Sequence, residues 1–578
     1  MVHIFPYWDF NKGQNIDIRI CSNAPLVELF VNDKCIGVHH INHKNGKNLV
    51  ASFKVPYEEG EIKAVAYDEK GNVLCEDIKK SFKDPVEIYL QSDKNRIIAD
   101  GRDLIFLDIS MKDKDGNFVY NAGNRVNVNV KGQGRLVGLD NGDSTDYDQY
   151  KGTSRRLFNG KLLAIIGSTF ESGQITVEVS SKGMNTVTKV FEAVSTDNVK
   201  GISAFTQNKY REVVLGNEDE IPVRKIEIST KNGQSLNKDN KEIVVQATIY
   251  PEDASYKELN WSIVNDGGIR TNIAIIEPIK NSFKAKVTAL GDGNFRVRCT
   301  SNNGSDKVRL ISELEFKSEG LGPALKNPYK FICAGLYDYS VGQVGNGNEK
   351  GVSSSSNGAT VIGFNNIDFG PLGSDTITIP IFALSSEKYE LQIYEGMPED
   401  KNSVLLADTF YQKESIWNVY QEESYKLSKV LKGITSISFV FHKKVHVKGF
   451  YFEKKNKAFE VNFANESDNL YGDAFNINNK YVEGIGNNVS IVYDNMDFGK
   501  DGISQIQIYG KSPIDKNSIN IIFEDNDGSK CKQLIEFTHT DFYENKTFNL
   551  DKITGSKKVT FVFLPGCNFD FGYFKFMK

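Results

Sequence analysis

Ile16-Asp-Ile-Arg-Ile20 alternates apolar and polar residues with a period of two, and similar runs recur along the chain. Further examples are Val27-Glu-Leu-Phe-Val31, Val126-Asn-Val-Asn-Val130 and Ile506-Gln-Ile508. This period, together with many β-branched residues, is typical of strands that bury one face. Asn-Gly and Asp-Gly pairs such as Asn141-Gly142 punctuate the runs, whereas sustained helical periodicity is hard to find. The sequence therefore predicts an all-β protein built from sandwiches.

Composition and charge exclude several classes of partner. The chain has 578 residues, with 70 Lys and Arg against 75 Asp and Glu, for a formal net charge of −5. This balance does not indicate nucleic acid or an anionic membrane as a partner. Apolar runs such as Leu162 to Ile166 are far shorter than the roughly 20 residues that cross a bilayer, so we expect no membrane span. The segment from Met1 to Trp8 shows no secretory signal.

The cysteines indicate a reducing environment. There are seven of them, an odd number without CxxC spacing: Cys21, Cys35, Cys75, Cys299, Cys333, Cys531 and Cys567. This pattern argues against both a disulfide framework and a zinc site. It favours a cytoplasmic location, with an extracellular location as the alternative if the sequence is part of a longer chain.

Shifts in composition predict where the first domains end. We expect sandwiches at residues 1–84 and 85–195, each near the size of an immunoglobulin-like (Ig-like) domain. A polar linker at 196–220 follows, with a short helix around Lys209 to Val214. A third sandwich at 221–319 contains a strand that ends at Pro251 and then Trp261, which we interpret as a core residue.

The last 250 residues contain a repeat. Asn366-Ile-Asp-Phe-Gly370 matches Asn495-Met-Asp-Phe-Gly499 at an offset of 129, and Ser438-Phe-Val-Phe441 matches Thr560-Phe-Val-Phe563 at 122. Two copies of one sandwich explain these matches, at residues 320–455 and 456–578. Phe369 and Phe498, inside the repeated Asp-Phe-Gly, are expected in the core.

The first two predicted domains resemble the C-terminal Ig-like domains of glycoside hydrolase family 2 β-galactosidases. The matching residues are His3-Ile-Phe-Pro-Tyr-Trp-Asp9, Cys21-Ser-Asn-Ala-Pro25, Val27 to Asn32, Ala66-Tyr-Asp68 and, above all, Gly138-Leu-Asp-Asn-Gly-Asp-Ser-Thr-Asp146 through Tyr150 to Lys161. In that family such a segment follows the catalytic barrel, so the resemblance implies the region beyond the barrel.

Residues 221–319 resemble bacterial Ig-like (group 2) domains, and the two repeats resemble family-6 carbohydrate-binding modules. With these resemblances, the predicted fold is a string of five β-sandwich domains of Ig-like and jelly-roll carbohydrate-binding type. The repeats would then be tandem independent modules.

The sequence predicts no catalytic residues. Retaining glycosidases need two carboxylates about 5 Å apart on a rigid scaffold, which in family 2 is a (β/α)₈ barrel. No βα alternation occurs here, and Asn217-Glu218, Asn348-Glu349 and Asn465-Glu466 lie in polar surroundings typical of a surface. Whether the chain counts as an enzyme therefore stays open, since it resembles part of a hydrolase yet is predicted to be inactive alone.

Candidate carbohydrate-binding residues lie in the repeats. Sugar rings stack on exposed aromatic rings and need polar partners at their edges. In the first copy, Trp417 followed by Tyr420 resembles the family-6 platform, and a Trp that closes the end of the sandwich is the alternative. In the second copy Tyr543 matches Tyr420, but Thr540 stands at the platform position. The Asn that the family carries before the last strand is Asn568 there, whereas the first copy has His446.

Three further features have structural interpretations. The acidic loop with Asp140, Asp143, Asp146 and Asp148 is read as ordered by Asx turns, with Arg155 or Arg156 neutralising it, and a structural Ca²⁺ is the alternative. The histidines of one short stretch, His39, His40 and His43, indicate a solvated hairpin, so we predict no metal site and no other cofactor. Trp8 is expected to form an exposed apolar patch.

The leading functional hypothesis is a non-catalytic accessory region of a family 2 β-galactosidase. It would brace a catalytic barrel supplied in cis or in trans and would weakly bind galactose-containing glycans. The alternatives are a stand-alone glycan-binding or adhesive protein and an inactive gene fragment.

Overall fold

The computed structural model describes residues 1–45, 48–197 and 219–578. It divides into two compact units, Met1–Leu325 and Lys326–Lys578. Within the described ranges the secondary structure consists of β-strands and short 3₁₀ helices, which makes the protein all-β as predicted. None of the helices described here is long and apolar enough to cross a bilayer. The predicted helix around Lys209 to Val214, and most of the predicted linker, lie outside the described residues.

Sandwich 1 packs a three-stranded sheet, ordered β1-β2-β5, against a four-stranded sheet, ordered β4-β3-β6-β7. Its strands are β1 (Val2–Phe5), β2 (Asn15–Ser22), β3 (Leu26–Val31), β4 (Lys34–His40), β5 (Val50–Pro56), β6 (Glu61–Tyr67) and β7 (Val73–Lys80), with a 3₁₀ helix at His43–Asn45. The alternation in β2 is realised, because Ile16, Ile18 and Ile20 are buried while Asp17 and Arg19 are exposed.

Trp8 lies in the core of sandwich 1, and the expectation of an exposed patch is wrong. Its ring is fully buried against Phe10 and Tyr57. Its Nε1–H donates to the carbonyl oxygen of Glu58 at 2.9 Å. The sandwich therefore satisfies this tryptophan internally, with apolar contacts for the ring and an acceptor for its one polar atom.

Sandwich 2 has sheets ordered β12-β14-β10-β8 and β13-β11-β15-β16-β9. Its strands are β8 (Pro85–Ser92), β9 (Arg96–Ile98), β10 (Leu104–Asp113), β11 (Arg125–Gly132), β12 (Gly134–Asp140), β13 (Ser154–Arg156), β14 (Lys161–Ser168), β15 (Gly173–Ser181) and β16 (Val187–Val194). The acidic loop connects β12 to β13, so it lies at one end of the sandwich.

Sandwich 3 has sheets ordered β17-β19-β22-β21 and β18-β24-β23-β20. Its strands are β17 (Lys225–Thr230), β18 (Ser235–Leu236), β19 (Glu242–Tyr250), β20 (Asn260–Val264), β21 (Ala274–Pro278), β22 (Lys284–Ala289), β23 (Gly293–Ser301) and β24 (Leu310–Ser318). Trp261 on β20 packs against the buried core, as predicted.

Sandwich 4 pairs a sheet ordered β26-β29-β34-β31-β32 with one ordered β25-β36-β30-β35-β28-β27, in which β33 also pairs with β30. Its strands are β25 (Ile332–Cys333), β26 (Tyr339–Val341), β27 (Gly345–Asn346), β28 (Val352–Ser353), β29 (Thr360–Asp368), β30 (Ser374–Ala383), β31 (Tyr389–Glu395), β32 (Val404–Tyr411), β33 (Gln421–Leu431), β34 (Ile434–Phe441), β35 (Val445–Val447) and β36 (Gly449–Phe452). Two 3₁₀ helices are at Ala334–Leu336 and Asn348–Lys350.

Sandwich 5 pairs a sheet ordered β38-β41-β46-β43-β44 with one ordered β39-β40-β47-β42-β45, in which β37 also pairs with β47. Its strands are β37 (Asn462–Phe463), β38 (Asn469–Tyr471), β39 (Asn476–Asn478), β40 (Tyr481–Ile485), β41 (Ser490–Asp497), β42 (Ile503–Lys511), β43 (Lys516–Glu524), β44 (Lys530–Thr538), β45 (Glu544–Ile553), β46 (Ser556–Phe563) and β47 (Phe569–Met577). Its 3₁₀ helices are Lys457–Phe459 and Ala464–Glu466.

The repeat found in the sequence is present in the backbone. The five-stranded sheets of sandwiches 4 and 5 have the same strand order, and a bulge interrupts the pairing of β29 and of β41 at the same place. Asn366 and Asn495 lie in these bulges with φ of 57° and 58°. Phe369 and Phe498 are buried in the two cores, as expected.

Candidate functional site

The exposed ring of Trp417 marks the loop between β32 and β33. The side chain is 80% exposed although it belongs to a large apolar residue. Its indole ring stands at 88° to the buried ring of Phe382, with centroids 5.7 Å apart. The loop thus presents an aromatic face to solvent and fixes one edge of it on the core, which is the geometry that a sugar platform requires.

Tyr420 anchors this loop. It is half-buried, its ring also contacts Phe382, and its O–H donates to the carbonyl oxygen of Asn348 at 3.0 Å. Burial raises the pKa of Tyr420 to about 12, so the phenol is neutral at physiological pH. Because the hydroxyl already has a partner, the predicted ligand residue acts mainly as packing below the platform.

Hydrogen bonds hold the platform loop in one conformation. The N–H of Ser415 donates to Oγ of Ser386, and Oγ of Ser415 donates to the carbonyl oxygen of Ala383, both at 2.9 Å. Asn418 follows the tryptophan at φ 61°, a conformation that Asn tolerates, and accepts a hydrogen bond from the amide of Asn348. A loop that is already ordered loses little conformational entropy when a ligand binds.

His446 completes the aromatic group around Phe382. The two rings are 5.2 Å apart, and Nδ1 of His446 is buried without a hydrogen-bond partner among the described residues. Burial, assisted by the nearby charge of Lys444, lowers the pKa of this imidazole. His446 is therefore neutral at pH 7, which suits its place against an aromatic ring.

Sandwich 5 uses the corresponding positions differently. Thr540, which aligns with Trp417, is buried and exchanges hydrogen bonds with Ser512. Asn568 is exposed, and Asn517 fixes its main chain with two hydrogen bonds of 2.7 and 2.8 Å. Tyr543 is half-buried and donates to Oε1 of Glu483 at 2.7 Å. Burial, followed by this bond to a carboxylate, raises the pKa of Tyr543.

Three tyrosines around Tyr543 were not predicted from the sequence. Tyr509 stacks on both Tyr543 and Tyr573, with centroid separations of 5.4 and 4.7 Å, and Tyr481 lies 5.1 Å from Tyr543. All four rings are half-buried on one face of the sheet ordered β39-β40-β47-β42-β45. A detectable signal was present, because Tyr509 and Tyr573 alternate with buried residues along β42 and β47 and so had to face outward.

Arginines neutralise the acidic loop of sandwich 2. Nε of Arg155 lies 3.1 Å from Oδ2 of Asp146, and Nη1 of Arg125 lies 2.7 Å from Oδ2 of Asp148. Asp140, Asp143 and Asp146 each accept a backbone N–H two residues ahead, which is the predicted Asx-turn pattern. Arg156 turns away and pairs with Glu220 instead.

Within the described ranges, no group of three or more His, Cys, Asp or Glu side chains is arranged to hold a metal ion. All seven cysteines are free thiols. His39 and His40 lie on strand β4, and His43 starts the 3₁₀ helix that follows. Glu349 and Glu466 are exposed surface residues, as expected, whereas Asn217-Glu218 lies outside the described residues.

Comparison with known proteins places the first two sandwiches. Residues 88–190 match the glycoside hydrolase family 2 C-terminal domain 5, and residues 13–75 match a domain of unknown function, DUF4982. The beta-galactosidase BoGH2A of Bacteroides ovatus is 36% identical over 185 residues, which cover 32% of this chain and 21% of that protein. The chain therefore carries a post-barrel region of the glycoside hydrolase family 2 type, as the resemblance implied.

Two further relatives concern other parts of the chain or its fold. Endo-1,4-beta-xylanase A of Thermoclostridium stercorarium is 28% identical over 244 residues, or 39% of this chain and 36% of that protein. The structure of CsCBM6-3 from Clostridium stercorarium in complex with cellobiose is 24% identical, with a TM-score of 0.20, and covers 23% of this chain and 98% of that one. The chain spans about a fifth of the beta-galactosidase and about a third of the xylanase.

Proposed function

We propose that this chain is a non-catalytic accessory region of a family 2 β-galactosidase. The Ig-like sandwiches brace a catalytic barrel, supplied in the same polypeptide or by a partner, and sandwich 4 holds galactose-containing glycans near it. The matches over residues 13–75 and 88–190 support the first part. The exposed indole of Trp417 on the buried ring of Phe382 is the observation that carries the second part.

The platform explains how a neutral sugar would bind. The axial C–H groups of a pyranose pack on the indole face, and its hydroxyls find polar partners along the loop, such as Gln412 and Asn418. One stacked ring gives weak binding, about millimolar to micromolar, or roughly −4 to −8 kcal/mol. Weak sites suit an accessory module, because the glycan must be released as the enzyme moves along it.

Isothermal titration of the full chain with lactose and galacto-oligosaccharides tests the proposal. We expect measurable binding by the wild type and a loss of at least tenfold in Trp417→Ala, with no change in melting temperature because the side chain is exposed. Tyr147→Ala is the matched control, since Tyr147 is 74% exposed in sandwich 2 and should not affect binding. Equal affinities of the wild type and Trp417→Ala would reject the platform.

A further inference from the structure

Sandwich 5 exposes a different aromatic ring in the loop that corresponds to the Trp417 loop. Phe542, between β44 and β45, is 77% exposed, and none of the described aromatic rings packs on it. Thr540, the residue aligned with Trp417, lies in the interior two positions earlier. The exposed ring has therefore moved from position 540 to position 542, where the aligned residue in sandwich 4 is Val419.

Buried hydrogen bonds connect this loop to Asn568. The N–H of Ser512 donates to Oγ1 of Thr540 at 2.9 Å, and the amide of Asn517 donates to Oγ of Ser512 at 2.8 Å. Oδ1 of Asn517 accepts the N–H of Asn568 at 2.7 Å. Ser512 and Asn517 are fully buried, so three loops of sandwich 5 are held together at one end of the fold.

This connection leaves two groups facing solvent on ordered loops. The ring of Phe542 offers an apolar face, and the side-chain amide of Asn568 makes no hydrogen bond to the described residues. A pyranose needs this combination, because its C–H face packs on a ring while its hydroxyls pair with an amide that can both donate and accept. Tyr543, next to Phe542, is fixed by Glu483 and supports the loop from below.

The surrounding charges select the class of glycan. The carboxylates of Asp541 and Glu544 flank Phe542 in the sequence, and the carboxylate of Glu483 lies under Tyr543. Like charges at an interface cost binding free energy, so sugars that carry a carboxylate are disfavoured here. A neutral glycan meets no such repulsion.

We propose that Phe542 and Asn568 form a second glycan site, in sandwich 5, which binds neutral oligosaccharides and not uronic-acid chains. The proposal rests on the proposed function in assuming that exposed rings of these modules bind sugars. Phe542 does in this copy what Trp417 does in the other, from a position two residues further along the loop.

The test uses the full chain with Trp417→Ala as the background, which silences the platform of sandwich 4. Affinity electrophoresis in gels that contain neutral galactan or polygalacturonate measures the remaining binding. We expect residual retardation by galactan only, and a further loss of at least tenfold in affinity with Phe542→Ala or Asn568→Ala. Tyr471→Ala, at an exposed tyrosine of the same sandwich, is the control and should change nothing.

Three outcomes would overturn the second site. Unchanged residual binding in Phe542→Ala would exclude the ring, and equal retardation by polygalacturonate would exclude the charge argument. Complete loss of binding in Trp417→Ala alone would reject the second site while leaving the proposed function standing. If the wild type itself binds no galactan and no galactoside, the proposed function fails as well, so the two failures are distinguishable.

Discussion

Arg224 donates a hydrogen bond from Nη1 to Oδ2 of Asp9 at 2.6 Å, although 215 positions separate the two residues. The same guanidinium donates from Nε to Asp84 at 2.8 Å, and Nζ of Lys225 lies 2.6 Å from Oδ1 of Asp9. Both members of the central pair are buried, at 5% and 6% exposure. Charged residues thus join sandwich 1 to sandwich 3 within the first unit.

The first prediction concerns this buried charge group. Asp9→Asn should lower the free energy of unfolding of the first unit by about 3 kcal/mol, because it leaves Arg224 and Lys225 buried without their shared carboxylate. Glu242→Gln removes the partner of Lys286 in an exposed pair of sandwich 3 and should cost under about 1 kcal/mol. Urea unfolding, followed by hydrogen exchange of peptides from β2 and β17, measures both. Similar costs for the two variants would contradict the assignment.

A second prediction follows from Asp146. Burial alone would raise the pKa of this carboxyl, but hydrogen bonds from the N–H of Asp148, the amide of Asn141 and Arg155 outweigh it and hold the pKa below its usual value of 3.8. Since the folded-state pKa is depressed, the stability that it contributes is present above the unfolded value and is lost as the pH falls through the folded value.

Asp146→Asn should therefore destabilise sandwich 2 at pH 7 and by progressively less as the pH falls below about 4. At the lowest pH the wild-type carboxyl is itself protonated, so the two proteins should converge. Urea melts of both proteins between pH 7 and pH 2 measure the difference. A difference that does not change with pH would show that charge is not the cause.

A third prediction concerns metal. Asp146 and Asp148 are each engaged by an arginine, so the acidic loop should not take up Ca²⁺. We expect the same melting temperature in EDTA and in millimolar Ca²⁺, because a bound ligand would stabilise the folded state in proportion to its concentration. A rise in melting temperature with Ca²⁺ that Asp140→Asn abolishes would restore the calcium alternative.

The fourth prediction compares two glycines of the repeated turn. Gly370 and Gly373 have φ of 62° and 70°, but a Cβ at Gly370 would meet open space, whereas one at Gly373 would overlap the carbonyl oxygen of Leu431. Gly370→Ala should cost about 1 kcal/mol for its backbone conformation, and Gly373→Ala at least about 3 kcal/mol. Hydrogen exchange of β30 peptides in the full chain measures the two costs, and equal costs would contradict the overlap.

The fifth prediction is that the purified chain releases no nitrophenol from nitrophenyl β-galactoside. The exposed acids Glu349 and Glu466 lie in 3₁₀ helices at the surface, where nothing raises the pKa of a general acid or confines a nucleophile. Turnover that survives removal of contaminating enzyme, and that is lost in Glu349→Gln or Glu466→Gln, would overturn the non-catalytic interpretation.

The strand content and the repeat could be predicted because both are local. Ile16, Ile18 and Ile20 had to share one face of a strand whatever packed on it, and Asp-Phe-Gly recurs at Phe369 and Phe498 with the same burial. The position of Trp417 in a polar loop also indicated exposure, and the structure places it in solvent. These features depend on spacing within a few residues.

The misses concern contacts between distant segments. Trp8 was expected at the surface because its neighbours in the chain gave no acceptor, yet Glu58, 50 positions away, supplies one. Phe542 was overlooked because alignment of the copies put Thr540 in the place of Trp417, and only the hydrogen bonds of Thr540 with Ser512 show that this position turns inward.

The sequence by itself thus determined which segments are strands, which faces they bury and that one sandwich occurs twice, because alternation and repetition are properties of neighbouring residues. Only the tertiary structure decided which rings reach solvent and which charges meet, as in Phe542 and in Arg224 with Asp9. Those outcomes depend on where chain folding brings segments hundreds of residues apart, and the free energy of each side chain depends on the neighbours it finds there.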